Sequence, residues 1–349
     1  MAKSPDAKSR SSFLRYLLIR FLLIFPTVFI LVTLVFIVMR TIGDPITAAL
    51  GGKLTDAELT ARIHEAGYDR PILVQYIEYL GQIFTGNFGT TITTHQPITS
   101  LLGTYGMATL ELTGYAVIVA LAVGIPAGMI AARRRDSGTD AGLRLFAILA
   151  YATPVFFVGL LLKLIFAVTF PILPVNGRAS INTELMLTLV PNPTGIYLVD
   201  AIRTGDPGLI GDVLSHAILP GLALGLLTAG IFLRLVRTNM ISTLNTEYVD
   251  AARSRGVSEY RLITKHAFRP ALIPIITVIG MQIAFLLSGA VLTETTFEWK
   301  GLGFQMAQYL NARDYVAVQG IVALLAVIVA LTNFIVDIIA ALVDPRVKF

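Results

Sequence analysis

Three ionisable residues lie within or at the edge of apolar stretches of this 349-residue chain: Glu111, Lys163 and Asp337. A charge at membrane depth is costly, so such residues are candidates for a transport path or for pairing between helices. In the orientation that the charges predict, we expect Glu111 and Lys163 toward the external side of the membrane and Asp337 near the cytoplasmic end of its span. Two roles stay open for each: lining a substrate path, or snorkelling to the interface or pairing with another helix.

Catalytic and metal chemistry find little support in the sequence. The chain has no cysteine, which excludes disulfides, thiolate metal sites and a cysteine nucleophile. The phosphate-binding pattern G-x-x-x-x-G-K-[ST] is absent. No zinc-site spacing links the four histidines, which are His64, His95, His216 and His266. We therefore predict no catalytic residue, metal or cofactor on this chain.

The composition indicates that much of the surface faces lipid. Hydrophobic residues make up 55% of the chain and charged residues only 14%, whereas soluble domains are about 25% charged. Disorder, collagen and a soluble nucleic-acid binder are all excluded by these values. The basic pI of about 9.4 must therefore be explained by where the positive charges lie.

Six apolar stretches are long enough to cross a bilayer as helices, which takes about 20 residues each. Four prolines, Pro126, Pro154, Pro220 and Pro274, are expected to kink them. Because the stretches do not alternate apolar and polar residues, they do not indicate a barrel. The predicted spans are Phe21–Met39, Leu112–Ala132, Leu145–Leu162 (continuing past Lys163 to about residue 175), Val213–Leu233, Ala271–Thr293 and Tyr315–Val343.

The charges predict the orientation of these spans. With the N-terminus inside, 18 of the 27 Lys and Arg residues are internal and eight are external. This is the positive-inside pattern, so both termini are predicted to be cytoplasmic and the basic pI needs no nucleic acid. The first span is interpreted as an uncleaved signal anchor, because its apolar run is too long for a signal peptide and no cleavage site follows.

The connecting segments divide the chain further. Residues 41–103 are predicted to form an external helical cap, because Thr55 and Glu58 have capping-box spacing and residues 72–84 carry an amphipathic stripe. The external segment 176–212, rich in Pro, Gly and Asn, is predicted to be irregular. We accordingly predict an N-terminal region with span 1 (1–40), the external cap (41–103) and a core membrane domain (104–349).

The cytoplasmic loop 238–270 is longer than a simple connection requires. Its sequence indicates two short helices around a turn, with Gly256 suited to a left-handed position after the first. Ser258 is expected to cap the second helix, with Glu259 in its first turn. A structured basic loop of this kind suggests docking to another protein. The alternative is an amphipathic helix that lies on anionic lipid.

This loop resembles the signature of the membrane permeases of binding-protein-dependent ABC importers, E-A-A-x3-G-x9-I-x-L-P. Here it reads Asp250-Ala251-Ala252-x3-Gly256-x9-His266-Ala267-Phe268-Arg269, with Asp in place of Glu and proline one place later. The core Ala252–Gly256 and the pair His266-Ala267 resemble the dipeptide and oligopeptide branch. Further segments that resemble the branch are 67–71, 86–89, 124–128, 153–156, 173–177, 216–220, 294–297, 301–303, 313–315 and 344–346.

The resemblance implies an all-α integral membrane protein with the type I ABC importer permease fold, in a bacterial plasma membrane. It implies half of a translocation pore for di- or oligopeptides or related small solutes, including nickel, glutathione and haem. ATP and Mg²⁺ would bind partner subunits, not this chain. The implied ATPase-docking residues are Glu247, Tyr248, Asp250, Ala251, Ala252, Arg253, Arg255 and Gly256.

The implied partners are a second homologous permease, one or two cytoplasmic ATPase subunits, an external substrate-binding protein and the lipid bilayer, without nucleic acid. The alternative is a secondary transporter or channel that works without ATP. That class predicts more ionisable groups in the spans and an inverted repeat, neither of which is evident. A membrane anchor or scaffold would not need kinked spans.

Overall fold

A computed structural model describes residues 5–343 of the chain, apart from some side chains within helices. The described residues form helices joined by turns, and their only bridge between extended residues joins Thr90 and Pro97. They pack as two compact units: one holds the residues up to Ala108 with Lys300–Ile335, the other Thr109–Trp299 with residues from Val336 onward.

The first unit contains the N-terminal helix and the external cap. Its first five helices are α1 (Pro5–Ile42), α2 (Pro45–Leu50), α3 (Asp56–Glu65), α4 (Ile72–Phe84) and α5 (Ile98–Leu101). Two helices from the C-terminal part of the chain complete it, α15 (Leu302–Asn311) and most of α16 (Tyr315–Val343). The intervening helices belong to the second unit: α6 (Met107–Arg133), α7 (Gly138–Ala152), α8 (Val155–Lys163), α9 (Ile181–Thr188), α10 (Tyr197–Thr204), α11 (Pro207–Leu244), α12 (Glu247–Ser254), α13 (Glu259–Arg261) and α14 (Phe268–Phe297).

Among the described residues, four helical segments are long and apolar enough to cross a membrane. A bent pair of helices would make a fifth span, so the predicted number of six stays a prediction. The predicted fifth stretch lies within the 30-residue helix α14. The four segments are Leu17–Ile42, Ile98–Arg133, Pro207–Leu244 and Tyr315–Ile339.

The predicted third span is broken where Pro154 is expected to kink it, and far more sharply than a kinked single helix. It consists of α7 (Gly138–Ala152) and of α8 extended by the π-helical turn Leu164–Thr169, and these two parts meet at an angle of 103°. The break falls at Thr153, which is extended, and Pro154, which begins the second helix. Proline lacks an N–H and disfavours helical backbone in the residue before it, so the apolar run cannot continue as one straight helix.

The external cap is helical, as predicted, and its capping box forms. Thr55 accepts a hydrogen bond from the Glu58 backbone N–H, and the Glu58 carboxylate accepts one from the Thr55 backbone. The bonds that the Glu58 carboxylate accepts from the Thr55 backbone N–H and from the Thr55 hydroxyl hold the pKa of Glu58 below its usual value. Gly67 follows α3 with φ of +74°, a conformation that glycine adopts without strain.

The prediction that residues 176–212 are irregular is wrong. The segment contains α9 and α10 and ends in the first turns of α11. Ser180 caps α9, and Asp206 caps α11 just before a proline at its first position. The segment has a small apolar core of its own, formed by Ala179, Leu187, Ala201 and Val213. Local composition favoured a loop, whereas capping and this core organise it.

Candidate coupling loop and buried charges

The loop after α11 forms a short helix and a glycine turn, as predicted. Helix α12 runs over Glu247–Ser254, and Gly256 follows with φ of +78°. The Gly256 N–H donates to the Arg253 carbonyl at 3.0 Å, and the Val257 N–H donates to the Ala252 carbonyl at 3.2 Å. A Cβ at Gly256 would contact nothing within 4 Å. Glycine is therefore needed for backbone conformation and not for space.

Buried apolar side chains fix this loop to the inner ends of the long helices. Val249 of α12 and Leu262 of the next turn are fully buried. Ile263 packs in a cluster with Val236 and Met240 of α11, together with residues of α6 and α14. The loop is thus packed against α11 and α14 by buried side chains.

The solvent-facing side of the loop is polar and exposed. Asp250, Ala251, Arg253 and Arg255 are exposed, and Tyr248 is 47% exposed although it is aromatic. Small residues such as Ala251 allow another surface to approach closely. An exposed tyrosine beside arginines is a composition favoured in protein interfaces.

Arg253 connects α12 to the turn that follows it. Its Nη1 donates to Asp250 at 2.7 Å and its Nε donates to Glu259 at 2.8 Å. The hydrogen bond to Glu259 raises the pKa of Arg253. Ser258 occupies the predicted N-cap position of α13, but its side chain makes no capping hydrogen bond there. The bridge by Arg253 was not predicted, although Asp250 lies three residues earlier on the same helix, a spacing that brings side chains together. Its second partner, Glu259, lies beyond the glycine turn.

Glu111 lies in a buried network. Its Oε2 accepts from Arg178 Nη2 at 2.5 Å, and both side chains are almost fully buried. Its Oε1 accepts from the Leu198 backbone N–H at 2.9 Å and from the Tyr115 hydroxyl at 3.1 Å. The Arg178 guanidinium lies 3.6 Å from the centre of the Tyr197 ring. Glu111 thereby joins α6 to the external segment 176–212.

Lys163 is also occupied by neighbouring groups. Its Nζ donates to Asn176 Oδ1 at 2.6 Å and to the Thr296 carbonyl at 2.8 Å. The Asn176 amide in turn donates to Glu298 at 2.9 Å. Asp337 lies half-buried in the last turns of α16. The structure thus shows separate surroundings for Glu111 and Lys163 in the second unit, each with several bonded partners.

A further buried carboxylate was not identified from the sequence. Asp140, fully buried in the first turn of α7, accepts from Arg237 Nε at 2.6 Å and from Nη2 at 2.7 Å. Arg144 lies 3.7 Å away on the next turn. In the sequence, Arg144 and Arg237 were counted only among the predicted cytoplasmic charges. The available signal was Ser137, which caps α7 three residues before Asp140.

No group of three His, Cys, Asp or Glu side chains in the described part of the chain could hold a metal ion. His64 hydrogen-bonds to Asp69 at 2.6 Å, which lowers the pKa of that carboxyl group. His216 lies beside Asp212 on α11. These histidines are engaged in local pairs.

Comparison with known proteins identifies the family. The family described as "Binding-protein-dependent transport system inner membrane component" matches residues 124–349, and its N-terminal companion family matches residues 13–103. The chain is 38% identical over 328 residues to the di/tripeptide transport system permease DppB of Pseudomonas aeruginosa, covering 93% of this chain and 96% of that one. It is 36% identical to the dipeptide transport system permease DppB of Escherichia coli K12, covering 96% of this chain and 99% of that one.

A solved structure supports the fold. The inward-facing MetNI methionine ABC transporter matches with a TM-score of 0.53 and 15% identity, over 70% of this chain and 97% of the matched chain. The family favours an ATP-driven importer over an ATP-independent transporter and implies partnership with an ATPase and a substrate-binding protein. The chain belongs to the binding-protein-dependent transport system inner membrane components, the non-catalytic permease subunits of ABC importers.

Proposed function

We propose that this chain is the permease subunit of an importer for short peptides. The observation that carries the proposal is identity of 36–38% to permeases named for dipeptides and tripeptides, over almost the full length of the chain. In this proposal the chain forms half of the translocation pore. A second homologous permease supplies the other half, and an external binding protein delivers the peptide.

Helix α12 and its turn are the proposed contact with the ATPase. The surface consists of Glu247, Tyr248, Asp250, Ala251, Ala252, Arg253, Arg255 and Gly256. Two features support this role: the polar outer side is open, and the inner side is packed through Val249 and Leu262. Force applied to α12 is then transmitted to α11 and α14 as a displacement of packed side chains instead of being absorbed by a flexible loop.

One or two ATPase subunits are proposed to hold ATP and Mg²⁺, and this chain holds neither. We also retain the proposed division into a region with the first span (1–40), an external cap (41–103) and a core permease domain (104–349). Within that core, loop 238–270 is the part proposed to meet the ATPase.

The buried charges are proposed to serve packing and not the substrate path. The support is that Glu111 and Lys163 each have several bonded partners within the second unit. For Asp337 the two roles stated above remain proposals. Replacement of Lys163 with Met tests this directly: uptake that is unchanged in assembled importer excludes Lys163 from the path.

The substrate proposal is tested with the complete importer in proteoliposomes. We expect uptake of radiolabelled Ala-Ala that requires internal ATP and Mg²⁺ and is blocked by excess unlabelled dipeptide. A non-hydrolysable ATP analogue is the matched control. ATP-dependent uptake of nickel or haem, with no competition by dipeptide, would contradict the peptide assignment while leaving the importer role intact.

A further inference from the structure

Helix α4 of the external cap contacts α1 within the apolar part of that helix. The Tyr76 hydroxyl of α4 is 2.7 Å from the Thr33 hydroxyl of α1. The Phe36 ring of α1 lies 5.2 Å from the Tyr76 ring and 5.5 Å from the Tyr79 ring. Phe36 is almost completely buried by these contacts. Helix α4 is therefore packed against α1 through a defined tyrosine face.

The position of Thr33 sets the depth of this contact. The apolar run of α1 continues six residues beyond Thr33, to Met39. At about 1.5 Å per residue, Thr33 lies about 9 Å below the outer end of that run along the helix axis. An amphipathic helix in a membrane interface has its apolar face buried by about 5–10 Å. Helix α4 thus meets α1 at the depth of an interfacial helix.

A second face of α4 is apolar and is not covered by the part of the chain that the structure describes. Leu73, Ile77 and Phe84 are 65%, 61% and 73% exposed. At about 100° per residue, these three side chains fall on one stripe beside the tyrosine face. Glu78 and Gln82, both exposed, fall on the opposite side. One face of α4 therefore packs, one is apolar and exposed, and one is polar.

We propose that α4 lies in the outer membrane–water interface, with the stripe of Leu73, Ile77 and Phe84 among the acyl chains of the outer leaflet. Continuity with the surface of α1 selects lipid as the occupant. At the same depth, Leu34 and Ile37 of α1 are 55% and 53% exposed, as expected for a lipid-facing helix. The polar side of α4 then faces the external solution.

The residues at the junction of the two helices match this placement. The Arg40 guanidinium lies 5.2 Å from the Phe36 ring centre and 4.4 Å from the Tyr68 ring centre. Tyrosines and long basic side chains concentrate at membrane interfaces, because they combine an apolar body with a polar end. The external cap is accordingly a lipid-bound element in part, instead of a domain held wholly in the external solution.

The native absence of cysteine allows a clean test. Single variants Ile77→Cys and Gln82→Cys are spin-labelled in the complete importer in phospholipid nanodiscs, with ATP-dependent uptake as the check on folding. Collisions with oxygen report lipid exposure, and collisions with a water-soluble nickel chelate report water exposure. We expect an oxygen-to-nickel accessibility ratio severalfold higher at residue 77 than at residue 82.

Leu73→Cys provides a second lipid-facing position if Ile77→Cys fails to assemble, with the same expected ratio. Equal ratios on the two faces would overturn the proposal, since both faces would then be in water. Protection of residue 77 from both reagents would also overturn it, because a protein partner would then cover the stripe.

Discussion

Two connecting segments of this permease fold by different means. The proposed coupling loop, within 238–270, has a polar exposed side, and its ion pairs are exposed. The external segment (176–212) instead buries two of its charges, Arg178, which is bonded to Glu111, and Asp200. The first segment is the one proposed to contact the ATPase, whereas the second is closed on itself and on α6.

The difference shows how the two segments respond to loss of a charge. An exposed ion pair contributes little, because water replaces a lost partner. A buried pair behaves differently, since removal of one partner leaves a charge that water cannot reach. Substitutions in the external segment should therefore reduce stability, whereas substitutions in the coupling loop should reduce transport with little loss of stability.

The largest effect is expected for Glu111→Gln. The change leaves the Arg178 guanidinium buried without its carboxylate, a loss of about 3–5 kcal/mol. Trp299 is the only tryptophan of the chain, and its ring lies 5.6 Å from this guanidinium. Thermal unfolding of the purified chain, followed by Trp299 fluorescence, measures the effect. The double variant Glu111→Gln/Arg178→Met should recover part of the loss, and an unchanged midpoint in the single variant would contradict the account.

A smaller loss is expected for Asp200→Ala. The Asp200 carboxylate accepts from the backbone N–H groups of Thr194 and Gly195 and from Arg203. Loss of these acceptors leaves donors unsatisfied, at about 1–3 kcal/mol. Limited proteolysis from the external side should cut residues 191–204 faster than in the wild type. Asp206→Ala, which removes only a helix cap, is the matched control, and equal cleavage of both variants would argue against a special role for Asp200.

In the coupling loop, Gly256→Val should impair transport more than stability. A left-handed backbone costs a non-glycine residue about 1–2 kcal/mol, and β-branched valine is poorly suited to it. Gly256→Asn is the matched control, because asparagine tolerates this conformation. We expect ATP-driven dipeptide uptake to fall strongly in the valine variant and weakly in the asparagine variant. Equal uptake in both would show that the turn geometry does not matter.

The smallest change in stability is expected for Arg253→Met. The substitution breaks the bonds to Asp250 and Glu259, both of which are exposed to solvent. The midpoint of thermal unfolding should hardly move, whereas the ATPase should co-purify less well because α12 is less firmly oriented. Arg133→Met is the control, since its side chain is exposed at the end of α6, outside the proposed docking surface. A large drop in thermal stability for Arg253→Met would contradict the contrast drawn between the two segments.

The sequence predicted the features that depend on local pattern. The capping box at Thr55 and Glu58, the helix α12 and the left-handed Gly256 are all set by residues close in the chain, and each is confirmed by the structure. Apolar length likewise predicted most of the long helices. The family could be identified from the sequence, because its signature lies in one contiguous loop.

Features that depend on distant residues were missed. The partner of Glu111 is 67 positions away, and the partner of Asp140 is 97 positions away. No local spacing pairs such residues, so the external segment was predicted to be irregular. Likewise, the sequence predicted a kink at Pro154 in the third apolar stretch but could not show that the two helices there meet at 103°.

The most direct test of coupling uses a thiol placed on α12. In the complete importer, Ala251→Cys provides the single cysteine of this chain, on an exposed position of the coupling loop. Treatment with a short thiol-to-amine cross-linker should join this chain to the ATPase subunit, whereas Ile181→Cys on the external segment should not. The account predicts that cross-link, with a yield that changes when ATP is added. Free maleimide labelling of residue 251 without any cross-link to the ATPase would contradict it.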